Sequence, residues 1–158
     1  MKLAEALAER GDCQKRIEDL KKRLARCARV QEGEQPPEDP ASLLSEVDRA
    51  FDRLLQLVKA INLTNSRTPF DGQRTISDAI VERDIVAKRR DMLAQMAESA
   101  STRQDRYSKS EVKFIATVSV GELQKRADQL SKEFRELDTR IQELNWKTEI
   151  DEEVGSRS

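Results

Sequence analysis

From Ser119 to Asn145 the apolar residues Val120, Leu123, Ala127, Leu130, Phe134, Leu137, Ile141 and Leu144 recur three and four residues apart. That spacing lays one stripe along a helix for packing against a second helix. Ser119 and Glu122 open the segment as a capping box, in which the serine oxygen accepts from a first-turn amide and the glutamate reaches back to the serine N–H. The pattern predicts a helix over 119–145.

A second heptad pattern covers 2–30. Leu3, Arg10, Ile17 and Leu24 form one row and Ala6, Cys13, Leu20 and Cys27 the other, with one charged intruder in an otherwise small or apolar seam. Gly11 interrupts helix propensity, at a cost of about 1 kcal/mol relative to alanine. Because the heptad phase continues across it, one helix is expected; the alternative is that Asp12 caps a fresh helix after a short first turn. The polar stretch QEGEQPPEDP then leads to Asp39 and Pro40, an N-cap followed by proline at the first helical position. Leu44, Val47, Phe51, Leu54, Val58 and Ile61, widened by Leu43, Ala50 and Leu57, predict a helix over 40–65 with a face broad enough for two neighbours.

Pro69, Asp71 and Gly72 mark the next connection. Thr75 and Asp78 cap a helix expected over 76–100, whose stripe of Ile76, Ala79, Ile80, Ala87, Ala94 and Ala97 also carries Arg83 and Arg90. A buried arginine needs an anionic partner, so these two either pair across to a neighbouring helix or line a pocket. Alternation of Val112, Phe114, Ala116 and Val118 with polar and apolar neighbours predicts a strand over 111–118, and Trp146, Thr148 and Ile150 predict another over 146–150. A lone strand leaves its backbone groups unpaired. The two are therefore expected to form a small β ribbon, with pairing between subunits preferred because a helix of about 40 Å separates them within one chain.

Composition supports this picture. Of 158 residues, 37% are charged and 4% aromatic, a balance that suits long amphipathic helices with narrow buried stripes. The expected fold is mainly α, one domain over 1–158, as an antiparallel bundle of four helices with the ribbon attached. The net charge of −1 weighs against a nucleic-acid binder, which needs a coherent basic surface. Lys21, Lys22, Arg23, Arg26 and Arg29 form a local exception, readable as a phosphate patch or as cations complementing a helix C-terminus. The chain has no signal-like N-terminus and no run long enough to span a bilayer, so a cytoplasmic location without membrane contact is expected. Cys13 and Cys27 lie fourteen residues apart on one predicted helix, about 21 Å, too far to join within it; they are read as reduced thiols or as partners of cysteines in another subunit.

Candidate chemistry is sparse. The absence of histidine removes the usual general base and most zinc or di-iron ligand sets, and the dispersed glycines build neither a P-loop nor a dinucleotide fingerprint. Acidic pairs four apart, Asp48 with Asp52 and Asp78 with Glu82, are common in so charged a chain, so no metal and no cofactor is assigned. Asn62 and Asn65 share a helix face. With Arg83, Arg90, Arg106, Tyr107 and Trp146 they make up the residues from which a polar ligand or interface site could be built.

The segments KLAEALAER, VQEGEQPPEDP and ISDAIVERD, and above all DRYSKSEVKFIATVSVGELQK and ELDTRIQELNW, resemble the septicolysin family of small bacterial proteins. The resemblance spans nearly the whole chain, except that Leu63 stands where a basic residue is expected. It implies a helical protein without agreed catalytic residues, and its name implies a haemolysin; the residues offer neither a spanning segment nor strands for an inserted barrel. The leading expectation is a non-enzymatic cytoplasmic homo-oligomer with a structural or protein-interaction role. A small polar ligand-binding protein or unrecognised enzyme is the alternative, and a nucleic-acid accessory protein a third.

Overall fold

The computed structural model describes residues 1–101 and 112–151. Four helices appear in chain order: α1 (Leu3–Cys27), α2 (Pro40–Arg67), α3 (Ile76–Ser101) and α4 (Val120–Lys147). All four stand where the periodicity puts them, and α1 runs unbroken through Gly11. The caps act as their residues dictate. Asp39 accepts from the Ala41 amide and the Ser42 hydroxyl ahead of Pro40. Thr75 and Asp78 exchange bonds reciprocally, the Thr75 amide donating to Asp78 Oδ2 at 2.8 Å and the Asp78 amide to Thr75 Oγ1 at 3.2 Å. Ser119 Oγ accepts from the Glu122 amide. Between α1 and α2 the Glu34 amide donates to the Gln31 carbonyl, closing a turn whose third residue, Gly33, has φ +88°; a side chain there would strain the backbone.

The chain gathers into two compact units, Met1–Pro69 with Glu143–Ser158, and Phe70–Gln142. In the first unit α1 and α2 form an antiparallel hairpin. The direction follows from two cross-helix ion pairs, Glu9 with Arg53 and Arg16 with Glu46, and from Arg23 with Glu38, which lies just before α2. As the α1 partner advances by seven residues, the facing partner retreats by seven or eight, as two antiparallel helices with a heptad seam require. Beside this ladder Ile17, Leu20, Cys27, Leu43, Val47 and Ala50 form one buried cluster, assembled from the two α1 rows and the broad face of α2. Arg10, the charged intruder, is only half-buried, so its head keeps access to water. The free cysteines sit in or beside this seam, Cys27 buried and Cys13 partly exposed.

In the second unit Leu93 and Ala97 of α3 pack with Leu123 and Ala127 of α4, with Val118, Val120 and Leu130 around them. Arg83 reaches Asp138, and the Arg90 guanidinium lies 5.2 Å from the Phe134 ring centre. Higher numbers on α3 again meet lower numbers on α4, so this pair is antiparallel too. The seam of α4 is the buried side of the helix: every apolar position of its predicted stripe is buried or half-buried.

Among the described residues the expected ribbon does not form within the chain. Residues 112–118 carry no strand, and Glu111 lies outside the described residues. Trp146 and Lys147 continue α4 rather than leaving it, because the helical hydrogen-bond ladder persists two residues beyond the predicted end and the Thr148 amide still donates to the Leu144 carbonyl. The tail finds a nearer partner instead. The Leu3 amide donates to the Thr148 carbonyl at 2.8 Å and the Ile150 amide to the Met1 carbonyl at 3.0 Å, framing an isolated antiparallel bridge between Lys2 and Glu149. One edge of the tail is therefore filled by the start of α1.

Candidate functional site

Three places bring polar side chains together. The first is the clasp that holds the tail in the first unit. Thr64, buried in α2, donates to the Ala60 carbonyl at 2.8 Å and accepts from the Asp151 amide at 2.9 Å. The Asp151 carboxylate takes an Arg67 N–H at 2.7 Å, and Glu149 meets Lys2 at 2.6 Å. The Lys2 ammonium beside Glu149 holds its carboxyl below the ordinary value of 4.5. Asn65 lies next to this clasp with its Oδ1 buried and without a hydrogen-bond partner among the described residues, while Asn62, three residues earlier, is exposed. Asn145 is buried in α4. Trp146 beside it is exposed.

The second is the entry to α3. Asp71 accepts from the Gln73 and Arg74 amides and takes two N–H groups of the Arg74 guanidinium. Its carboxyl is lowered to about 2, chiefly by the Arg74 side chain and then by the backbone donors. Arg74 also pairs with Glu82 and covers the Phe70 ring at 4.9 Å. A groove of about 590 Å³ begins here and is lined by Phe70, Val81, Ile85 and Leu137 together with Arg89, Glu133 and Glu136. Farther along α3, Arg83 binds Asp138 at 2.9 Å and Asp84 at 3.2 Å. Arg90 binds Asp91 at 3.0 Å and stacks on Phe134, so each meets the anionic or aromatic partner that an arginine on a buried stripe needs.

The third is the ion-pair ladder of α1 and α2, whose carboxylates Glu9, Glu38 and Glu46 are all held below their ordinary value by the facing arginine. The basic crowd at the end of α1 is partly spent here, since Arg23 binds Glu38 and Lys21 binds Glu18.

The residues chosen from sequence thus divide. Asn62, Asn65 and Trp146 belong to the first unit and Arg83 and Arg90 to the second, while Arg106 and Tyr107 lie outside the described residues. Arg83 and Arg90 are two helical turns apart and each answers to its own partner on α4. Sequence reasoning passed over Thr64, Arg67, Asp71, Arg74 and Asp151. The Asp71 to Arg74 turn carries a local signal, an aspartate two and three residues before the amides it caps; the Thr64 to Asp151 bond carries none, because its ends are 87 residues apart. Among the described residues no three His, Cys, Asp or Glu side chains converge on a point suited to a metal ion, and no helix is long and apolar enough to cross a membrane.

Apart from these places the helices present apolar surface. Leu44, Phe51 and Leu55 on α2, and Val81, Ile85, Met92 and Met96 on α3, are each more than 40% exposed, and both sets follow helical spacing.

A model for a family of unknown function matches residues 10–150. The chain is 45% identical to the protein described as "a functionally unknown conserved protein from Corynebacterium diphtheriae", whose crystal structure it matches over 96% of its own length and 99% of that chain, with a TM-score of 0.91. No curated protein matches. These findings overturn the resemblance to septicolysins: neither the family model nor the crystal structure carries that description.

Proposed function

The chain belongs to that family of unknown function, DUF6847, and from this premise we propose that it is a non-enzymatic helical interaction module that acts as a homo-oligomer. The observation that carries the reading is the pair of apolar stripes just described. Isolated exposed apolar side chains are ordinary on any surface, but seven of them in two helically spaced rows follow the same rule as the buried seams of α1 with α2 and α3 with α4. A row of this kind loses its hydration cost when another helix covers it. The charged residues support the same reading, since Arg83, Arg90 and Arg23 are taken up in structural ion pairs.

The test is sedimentation or light scattering across micromolar to millimolar concentration. A mass of two or more chains that falls on dilution is the expected result. A single-chain mass over the whole range would overturn the proposal.

A further inference from the structure

Ahead of α4, residues 112–116 lie in no helix, turn or bend, and every one of them is exposed. Val112 is 62% exposed, Phe114 79% and Ile115 84%, the last two being the barest large apolar side chains among the described residues. The chain bends at 117 and 118, and Val118 is half-buried, packing with Val120 against the α3 and α4 cluster. The stretch is thus anchored by the fold at its C-terminal end while its own apolar groups face water.

Its backbone is as bare as its side chains. Among the described residues, Lys113, Phe114, Ile115 and Ala116 enter no hydrogen bond. Valine, phenylalanine and isoleucine suit a pleated strand, and a row of open N–H and C=O groups is completed by another extended backbone, not by the side of a helix. The chemistry of the occupant follows: an extended stretch with free backbone groups and apolar side chains.

The other described stretches outside the helices do not offer this. Residues 28–39 carry Pro36 and Pro37, which lack N–H groups. Residues 68–75 are closed on themselves, with the Phe70 amide bound to the Arg74 carbonyl and the Gln73 and Arg74 amides to Asp71. In the tail the Thr148 carbonyl and the Ile150 and Asp151 amides are taken by Leu3, Met1 and Thr64. What remains is 112–116 itself, in a second copy.

Charge selects the direction. Lys113 is the one charged residue between 112 and 118. Parallel pairing in register sets Lys113 against its own copy, which is unfavourable. Antiparallel pairing about Phe114, the middle of the exposed stretch, sets Lys113 opposite Ile115, where its aliphatic stem finds an apolar neighbour. It also sets Val112 opposite Ala116 and Phe114 opposite Phe114, so one face of the pair is wholly apolar and carries an aromatic contact at its centre.

Resting on the homo-oligomer reading, we propose that residues 112–116 of two copies pair as antiparallel strands about Phe114. The contact is isologous, so both copies fill their open backbone groups in one event and the pairing closes at two chains. Strands this short cover less than the roughly 800 Å² per partner of a standard interface, so the association is weak and falls on dilution.

Two measurements on the full chain test the pairing. Phe114→Ser with Ile115→Ser alters only exposed positions, and circular dichroism checks that the helix content is kept. In sedimentation the double variant is expected to associate at least about tenfold more weakly than the wild type. Cross-linking under mild oxidation reads the register, in a chain whose half-exposed Cys13 is replaced by serine. Phe114→Cys is expected to give a covalent dimer, because opposed positions have Cβ atoms about 5 Å apart. Val112→Cys alone is expected to give none, since two copies of position 112 stand four residues apart, about 13 Å, whereas Val112→Cys mixed with Ala116→Cys is expected to cross-link. A wild type that is monomeric throughout would remove the oligomer reading and the strand pair with it. Wild-type association that the double serine variant retains in full would leave the oligomer and remove the strand pair. Cross-linking through position 112 alone as readily as through 114 would overturn the antiparallel register.

Discussion

Replacing Gly11 with alanine tests whether α1 is one continuous helix. The structure places Gly11 well inside Leu3–Cys27, and a Cβ built there meets no atom within 4 Å. Its backbone is not in the left-handed region, which among the described residues only Gly33 occupies. The substitution therefore introduces no clash and no strain, and it removes the conformational freedom that glycine gives the unfolded chain. The gain is about 0.5 to 1 kcal/mol. For a chain of this size that corresponds to a rise in Tm of roughly 2 to 4 °C per kcal/mol. Thermal melts followed by circular dichroism, run at one fixed protein concentration because association also contributes, read the shift. Urea titration serves as a second measure, with the midpoint rising and the slope unchanged. If Asp12 instead capped a fresh helix, Gly11 would lie outside it and alanine would bring no gain. An unchanged or lowered Tm would therefore refute the continuous helix.

Leu20 has no exposed surface and lies at the centre of the α1 and α2 cluster; Leu20→Ala is expected to cost about 2 to 5 kcal/mol in urea unfolding through lost burial and the cavity left behind. Thr64→Val keeps the shape of the side chain but removes the oxygen that receives the Asp151 amide. A loss of about 1 to 3 kcal/mol is expected, with faster hydrogen exchange at Asp151 as its local signature. Acid should unfold the protein progressively. Glu9, Glu38, Glu46, Asp71 and Glu149 all have lowered values in the folded chain, so below their ordinary range the unfolded chain binds more protons than the folded one and stability falls with pH. The contribution is complete above about pH 5 and declines as pH drops toward 2, the value to which Asp71 is lowered. A melt series over that range checks the sign, and an NMR titration of Asp71 with a midpoint near 4 would contradict the Asp71–Arg74 geometry.

The helices were legible because each is written locally. The three-and-four spacing of Leu123 to Leu144, the Asp39–Pro40 start and the Thr75–Asp78 cap are short-range features, and each reappears in the structure. The need of Arg83 and Arg90 for partners was also legible, since a cation on a buried stripe must be neutralised. The identity of those partners was not. Asp138 is 55 residues from Arg83, and nothing near Arg83 in the chain points to it. Within the chain the two segments do not pair, for a related reason. Alternation marks 112–118 and 146–150 as capable of extended structure, but strand pairing is decided by which backbone is within reach, and the start of α1 reaches Thr148 to Ile150.

The sequence by itself determined four helices, their caps, and the absence of the histidine and glycine motifs on which much familiar chemistry depends, because these follow from spacing and residue type within one or two turns. The tertiary structure decided the rest. It set the heptad ladder of Glu9, Arg16 and Arg23 against Arg53, Glu46 and Glu38, closed the Thr64 to Asp151 clasp, and left Leu44, Phe51, Val81 and Met92 exposed while otherwise similar positions became core. A periodic stripe states that a helix face wants cover; only the packing of the whole chain settles which faces the chain covers and which it presents outward.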